Sequence, residues 1–148
     1  MINKHMKIAI EEAKIALEKG EIPVGAVIIK NDQIVARAHN RKEELHKATA
    51  HAEILAIEAA SEKLQTWRLS ECTMYVTLEP CHMCMAAIIE SRIKHVVYGA
   101  LDYKMGAHIS NRSLLRDRLN GNFDIVGGVM EEESEKLLKD FFLTLRKR

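Results

Sequence analysis

Nowhere in this sequence do apolar residues run for the roughly 18 positions that a membrane-spanning helix needs. Residues 1–6 also lack the basic-then-apolar layout of a secretory signal. The expectation is a soluble, cytoplasmic protein with no membrane partner. Charge of one sign is missing too: Lys and Arg total 22 against 21 Asp and Glu, a formal net charge of +1. No global field draws in a polyanion, so any contact with nucleic acid must use a local patch. Cysteine is scarce, and three residues cannot all pair within one chain. Cys81 and Cys84 are separated by two residues, a spacing that suits a metal better than a structural disulfide. Cys72, at the entrance to an apolar run, is expected to be a small buried hydrophobe. Internal repeats and low-complexity linkers are absent as well.

What is present is an ordinary globular composition, with 47% hydrophobic and 29% charged residues over 148 positions. That length is expected to form one domain, residues 1–148, around one core. In residues 2–19, Ile8, Ala9, Ala13, Ala16 and Leu17 recur at three- and four-residue spacing, predicting an amphipathic helix that stops at Gly20. Residues 24–29 and 33–38 are β-branched runs around Lys30-Asn31-Asp32, which reads as a hairpin. Residues 39–48 are polar and read as a loop, and a second helix is predicted from near Thr49 through Ile57, with His51 and Glu53 in its first turn. Residues 73–78 read as a buried strand. Pro80 stands where a third helix would begin, putting Cys81 and Cys84 on that helix's first turn. A short strand at 96–98 then completes a βαβ unit, so the sheet is predicted to mix parallel and antiparallel pairs. Residues 100–122 support at most a short helix around 113–119, and 124–126 a last strand. Residues 131–148 begin acidic and end basic around Leu137, Leu138, Phe141, Phe142 and Leu145, as a final amphipathic helix would.

The chemistry is concentrated in two short motifs. His51-Ala52-Glu53 is followed, after 26 intervening residues, by Pro80-Cys81-His82-Met83-Cys84. One imidazole and two thiolates form a ligand set that zinc accepts tetrahedrally while keeping a fourth position for water. A closed structural site would need a further ligand; His82 is the candidate, although bracketed by the two cysteines it is expected to point away. Helix N-termini stabilise thiolates, and zinc lowers the pKa of bound water to about 7, making hydroxide available at neutral pH. Glu53, two residues from a ligand, is placed to take that proton. Displacing an amine from a ring carbon requires protonation of the ring nitrogen and then of the departing ammonia, which one mobile carboxylate can serve in turn. Hydrolytic deamination fits these parts. A redox Cys-x-x-Cys pair is the competing reading, but it leaves His51-Ala52-Glu53 unexplained.

The same residues carry the H-x-E…P-C-x-x-C signature of the zinc-dependent nucleobase and nucleoside deaminases, of which tRNA adenosine deaminases are a known example. The resemblance to the bacterial tRNA adenosine deaminase family extends over most of the chain. It is carried by Pro23-Val24-Gly25-Ala26-Val27, His39-Asn40-Arg41, Thr49-Ala50-His51-Ala52-Glu53, Trp67-Arg68-Leu69, Tyr75-Val76-Thr77-Leu78-Glu79-Pro80-Cys81 and Ser91-Arg92-Ile93. It implies an α/β fold of the cytidine-deaminase-like, three-layer α/β/α type with a central mixed five-stranded sheet, and a homodimer. It further implies one zinc ion per chain on His51, Cys81 and Cys84, with Glu53 as the catalytic proton shuttle. Asn40, Val24 and Ala52 would bind the substrate base, and Asp102, Lys104 and Arg146 would contact RNA. The implied partner is a tRNA anticodon loop, whose wobble adenosine becomes inosine.

Four stretches depart from the family pattern: Ala48, His82, Met85-Ala86-Ala87 and His108-Ile109-Ser110-Asn111. The last falls in the loop 101–111, where an anticodon loop would be held. With little net charge, affinity for phosphates would depend on pooling Arg37, Arg41, Lys42, Lys104 and residues 146–148 from two chains of a dimer. Two other functions remain open: deamination of a free base or nucleoside of guanine, cytosine or adenine type, and a non-catalytic zinc-stabilised scaffold in which Glu53 is incidental.

Overall fold

A computed structural model describes residues 2–110 and 123–146. The elements run α1 (Ile2–Glu18), β1 (Gly25–Lys30), β2 (Gln33–His39), α2 (Lys42–Leu45), α3 (Ala52–Leu64), β3 (Thr73–Leu78), α4 (His82–Glu90), β4 (His95–Ala100), β5 (Asp124–Val126) and α5 (Glu131–Arg146). The short helix expected around 113–119 lies outside the described residues. So do Lys147 and Arg148.

The five strands form one sheet in the order β2-β1-β3-β4-β5. β1 pairs antiparallel with β2 and β3, whereas β3–β4 and β4–β5 are parallel. The sheet is therefore mixed, as expected. The β1–β2 hairpin turns at Asn31 and Asp32, both with positive φ (51° and 60°). That is the type I′ conformation which Asn and Asp tolerate and which matches the strand twist.

Alternation along the strands sorts side chains to two faces, because the pleat has a period of two. Ala26 and Ile28 of β1, Met74 and Val76 of β3, and Val96 and Tyr98 of β4 join Ala52, Ala56 and Ala60 of α3 and Ile88 of α4 in one core. Their neighbours Val27, Ile29, Tyr75 and Val97 join Met6, Ala9, Ile10 and Ala13 of α1 and Leu137 of α5 in the other. Helices thus cover both faces, giving the α/β/α layering. Each large apolar side chain so buried contributes about 1.5–3 kcal/mol. Gly25 lets α1 lie directly on β1, since a Cβ there would collide with the Ala9 carbonyl oxygen.

The strand expected at 96–98 runs longer, as His95–Ala100, and two differences after the hairpin have a physical reason. His39 extends β2 by pairing with Gly25, and the supposed loop that follows contains α2. The backbone N–H groups of Glu43 and Glu44 donate to the buried Glu21 carboxylate at 3.1 and 2.8 Å. A remote acid thus satisfies the N-terminal donors of a helix too short to show periodicity.

Candidate active site

The parallel strands β3 and β4 end side by side, at Leu78 and Ala100, and open sheets of this kind form their crevices at the carboxyl ends of such strands. β3 leads into Cys81 and α4, and α3 begins close by at Ala52. Both His51 and Cys81 prove to be N-caps with extended backbone (φ −77°, ψ 151° and φ −73°, ψ 174°), where a place in the first turn was expected. The backbone before α3 is committed elsewhere: Ala50 O accepts from Arg41 N–H, Ala50 N–H donates to Lys47 O, and His51 N–H donates to Thr49 O. The helix therefore begins only at Ala52. Cys81 is held extended by a bridge to Gly106, so only Cys84 lies within the first turn of α4.

The three expected ligands converge. His51 Nδ1 lies 3.4 Å from Cys84 Sγ and 3.8 Å from Cys81 Sγ, and one donor atom from each residue falls within 4.8 Å of the others. His82 is not part of this group, so among the described residues the set has three members and stays open on one side. Cys72 is buried away from it, as expected.

Electrostatics make the group receptive to a cation. A hydrogen bond from Cys84 lowers Cys81 to about 4 against the opposing effect of burial. The same contact, with burial, drives Cys84 upward. His51 is raised by its hydrogen bond to Cys81. Glu53 is pushed up to about 7, first by burial and then by the charge of Cys81. Two thiols and a carboxyl packed together cannot all ionise unaided; a metal dication among the donors would remove that conflict.

A cavity of about 650 Å³ opens onto this group, a size suited to a small organic ligand. Val24, Asn40, His51, Glu53, Cys81, Asp102 and Lys104 line it, together with Ile22, Lys42, Leu78, Leu101 and Leu138. Cys84 is fully buried behind the wall. Ala52 does not line the cavity; its N–H donates to Asn40 Oδ1 at 2.7 Å, leaving the Asn40 amide NH2 as the group that can meet a ligand. The Asp102 carboxylate caps its own turn, accepting from Lys104 and Met105 N–H at 3.2 and 3.0 Å. Arg146 borders an adjoining hollow with Lys139 and Leu143, sharing Leu138 and Phe142 with the main cavity.

The pooled basic patch is reduced. Arg37 is engaged by Glu11 and Glu12 at 3.0 and 2.7 Å, and Arg41 by Glu44 at 2.8 Å. Lys42 and Lys104 stay at the cavity. The lining residues that the sequence did not assign to the site include Glu79, Tyr103, Met105 and Phe142. Glu79 is buried, yet held below the usual carboxylate range: burial raises it, and hydrogen bonds from Ser110, Asp102 and His108 outweigh that. Of the departing residues, Met85 is fully buried, and His108 and Ser110 turn onto Tyr98 and Glu79.

Comparison with known proteins gives a consistent picture. Residues 2–146 match the model of the MafB19-like deaminases. A tRNA-specific adenosine deaminase of Bacillus subtilis (strain 168) is 50% identical over 145 residues, covering 97% of this chain and 90% of that protein. Its counterpart in Aquifex aeolicus (strain VF5) is 49% identical over 142 residues, covering 95% and 93%. A solved structure from work on A-to-I editing by tRNA:A34 deaminases at the wobble position of transfer RNA superposes with a TM-score of 0.86. It is 42% identical, covering 91% of this chain and 99% of that one.

Proposed function

The chain belongs to the MafB19-like deaminase family, and from that premise we propose that it hydrolytically deaminates adenosine to inosine at the wobble position of a tRNA anticodon. The observation that carries this reading is the meeting, in one cavity wall, of His51, Cys81, Glu53 and Asn40, with Cys84 buried directly behind to complete the donor set. The fold, resemblance and relatives at about half identity agree with it.

One zinc ion per chain fits the donors. Bonds of about 2.3 Å to sulfur and about 2.0 Å to nitrogen at a tetrahedral angle would separate N and S by roughly 3.5 Å, and the observed separations are 3.4 and 3.8 Å. Zinc held there by His51, Cys81 and Cys84 would supply the Lewis-acidic charge that makes water nucleophilic at neutral pH.

Glu53 carries the protons. As water adds to the amine-bearing carbon of adenine, Glu53 takes a proton from it and returns one to the ring nitrogen. Glu53 then takes the remaining proton of the added hydroxyl and passes it to the amine, so that ammonia leaves as the carbon–nitrogen bond breaks and the carbon–oxygen double bond of inosine forms. Burial pushes the Glu53 pKa up, which makes it a readier proton donor than an exposed carboxylate while it remains able to accept, as the two transfers require. Asn40 orients the base through its NH2, fixed by the bond from Ala52 N–H to Oδ1. Val24 supplies an apolar wall, and Lys104 and Arg146, with the loop at Asp102, face the RNA around an unstacked base. We read residues 1–148 as one catalytic domain working as a cytoplasmic homodimer.

The test is incubation with an anticodon stem-loop carrying A at the wobble position, beside free guanine, cytosine, adenine and their nucleosides. Inosine in the RNA and no ammonia from the panel sustains the reading. The net charge of +1 and the pairing of Arg37 and Arg41 with acids favour the free-base alternative as the second reading, and the reverse outcome would establish it. Ammonia release undiminished in Glu53→Ala would remove the proton-shuttle mechanism.

A further inference from the structure

The cavity wall formed by Asp102, Tyr103, Lys104 and Met105 has no regular secondary structure of its own apart from the bridge at Gly106. Something must hold it in place. The Glu79 side chain, at 1% exposure, collects donors from both ends of this segment. Its Oε1 accepts from Asp102 N–H at 3.0 Å and Ser110 Oγ–H at 2.7 Å. Its Oε2 accepts from the N–H groups of His108, Ile109 and Ser110 at 2.9, 2.9 and 3.1 Å. A carboxylate offers about four lone-pair sites, so this one is saturated, which offsets the cost of burying its charge. Gly106 passes so close that an added Cβ would collide with the Glu79 carboxyl.

A second attachment lies at the far end of the loop. The buried Tyr98 hydroxyl meets His108 Nδ1 at 2.9 Å, and the two rings pack edge-on with centroids 5.6 Å apart. Tyr98 is fully buried on β4, which pairs with β3 and β5, so this contact ties the loop to the sheet.

We propose that Glu79 is a positioning residue for substrate recognition, assisted by the Tyr98–His108 contact. Together they fix residues 102–110 so that Tyr103, Lys104 and Met105 form a rigid wall against the nucleotides flanking the target base. Tyr103 and Met105 are 77% and 53% exposed at this wall, and an aromatic face and a thioether can stack on unpaired bases without reading their sequence. The wall is made in advance, so its ordering cost is not charged to binding. The flanking-nucleotide part rests on the RNA reading above; the tethering part does not.

The experiment compares wild type with E79Q, Y98F and S110A. It measures kcat and KM on the anticodon stem-loop and on free adenosine, with zinc content by elemental analysis. Each variant is expected to keep one zinc per chain and a kcat within about threefold of wild type, while KM for the stem-loop rises by about tenfold or more in E79Q and less in S110A. KM for adenosine, which does not reach the flanking wall, should move less. Should E79Q fail to fold, Y98F and S110A carry the same test. A fall in kcat at constant KM, loss of zinc from Y98F or S110A, or equal KM rises on both substrates would overturn the proposal. If wild type ignores the stem-loop and deaminates a free base, the RNA reading falls. Tethering is then judged by amide hydrogen exchange at residues 102–110: faster exchange in E79Q and Y98F than in wild type sustains it, and unchanged exchange overturns it.

Discussion

Asn40 Oδ1 accepts a 2.7 Å hydrogen bond from the Ala52 backbone N–H, joining the residue after β2 to the first residue of α3. An N–H can only donate, so the amide orientation is chemically fixed and NH2 is what remains for a base. N40A removes both functions. It should cost about 1–3 kcal/mol through the orphaned N–H and lower kcat/KM by about a hundredfold. N40D keeps the acceptor but loses the donor, so urea denaturation should find it closer to wild type in stability while its kcat/KM falls as far as that of N40A. An N40D variant of undiminished activity would take Asn40 out of base recognition.

Glu53 is buried and raised to about 7 chiefly by that burial, so replacing it with a neutral isostere relieves a desolvation cost. E53Q is expected to retain zinc, melt at or above the wild-type temperature and lose about 10²–10⁴-fold in kcat, the usual contribution of a positioned acid–base group. Ammonia release and a thermal melt on the same preparation check both halves. Lower stability together with intact turnover would be the contrary result.

Metal binding should be inseparable from stability, because the donors come from two helix N-termini that the ion would join. At free zinc about a thousandfold above Kd, binding to the folded state alone contributes about 4 kcal/mol. Chelation is expected to lower the melting temperature, and zinc to restore it. C84A should lose the metal and show no such response. Elemental analysis finding stoichiometric iron, or no metal, would count against the assignment.

Much of this site was legible in the sequence because a metal fixes both residue type and spacing: His51, Cys81 and Cys84 came together as expected. The layers followed from period-two alternation, as in Val27 and Ile29 against Ala26 and Ile28. Less legible were features whose partners are backbone atoms. Glu21 and Glu79 look like ordinary acids, yet each binds N–H groups more than twenty residues away. Backbone donors exist at nearly every position and leave no residue-type signature. The helix starts failed for the same reason, since the carbonyl and N–H of Ala50 were already engaged by the preceding loop.

Glu12 of α1 gives the fold a specific acid sensitivity. Its side chain, 10% exposed, receives Arg37 Nε–H at 2.7 Å and contacts His39 Nδ1 at 2.8 Å, pinning α1 to the edge strand β2. Burial alone would raise its pKa, but the hydrogen bonds from His39 and Arg37, with their charge, outweigh it and hold Glu12 below its ordinary 4.5. The folded state therefore binds this proton less readily than the unfolded chain. The stability gained is fully present above the ordinary carboxyl range and is lost as pH falls through the folded value. E12Q should be less stable than wild type at pH 7 by about 1–3 kcal/mol, and the gap should narrow progressively below about pH 5. Because β2 leads directly into Asn40, E12Q should also raise KM modestly while leaving kcat near wild type. Urea midpoints between pH 3 and pH 8 provide the check. A gap that stays constant over that range would mean that Glu12 holds β2 by packing alone, with its charge contributing nothing.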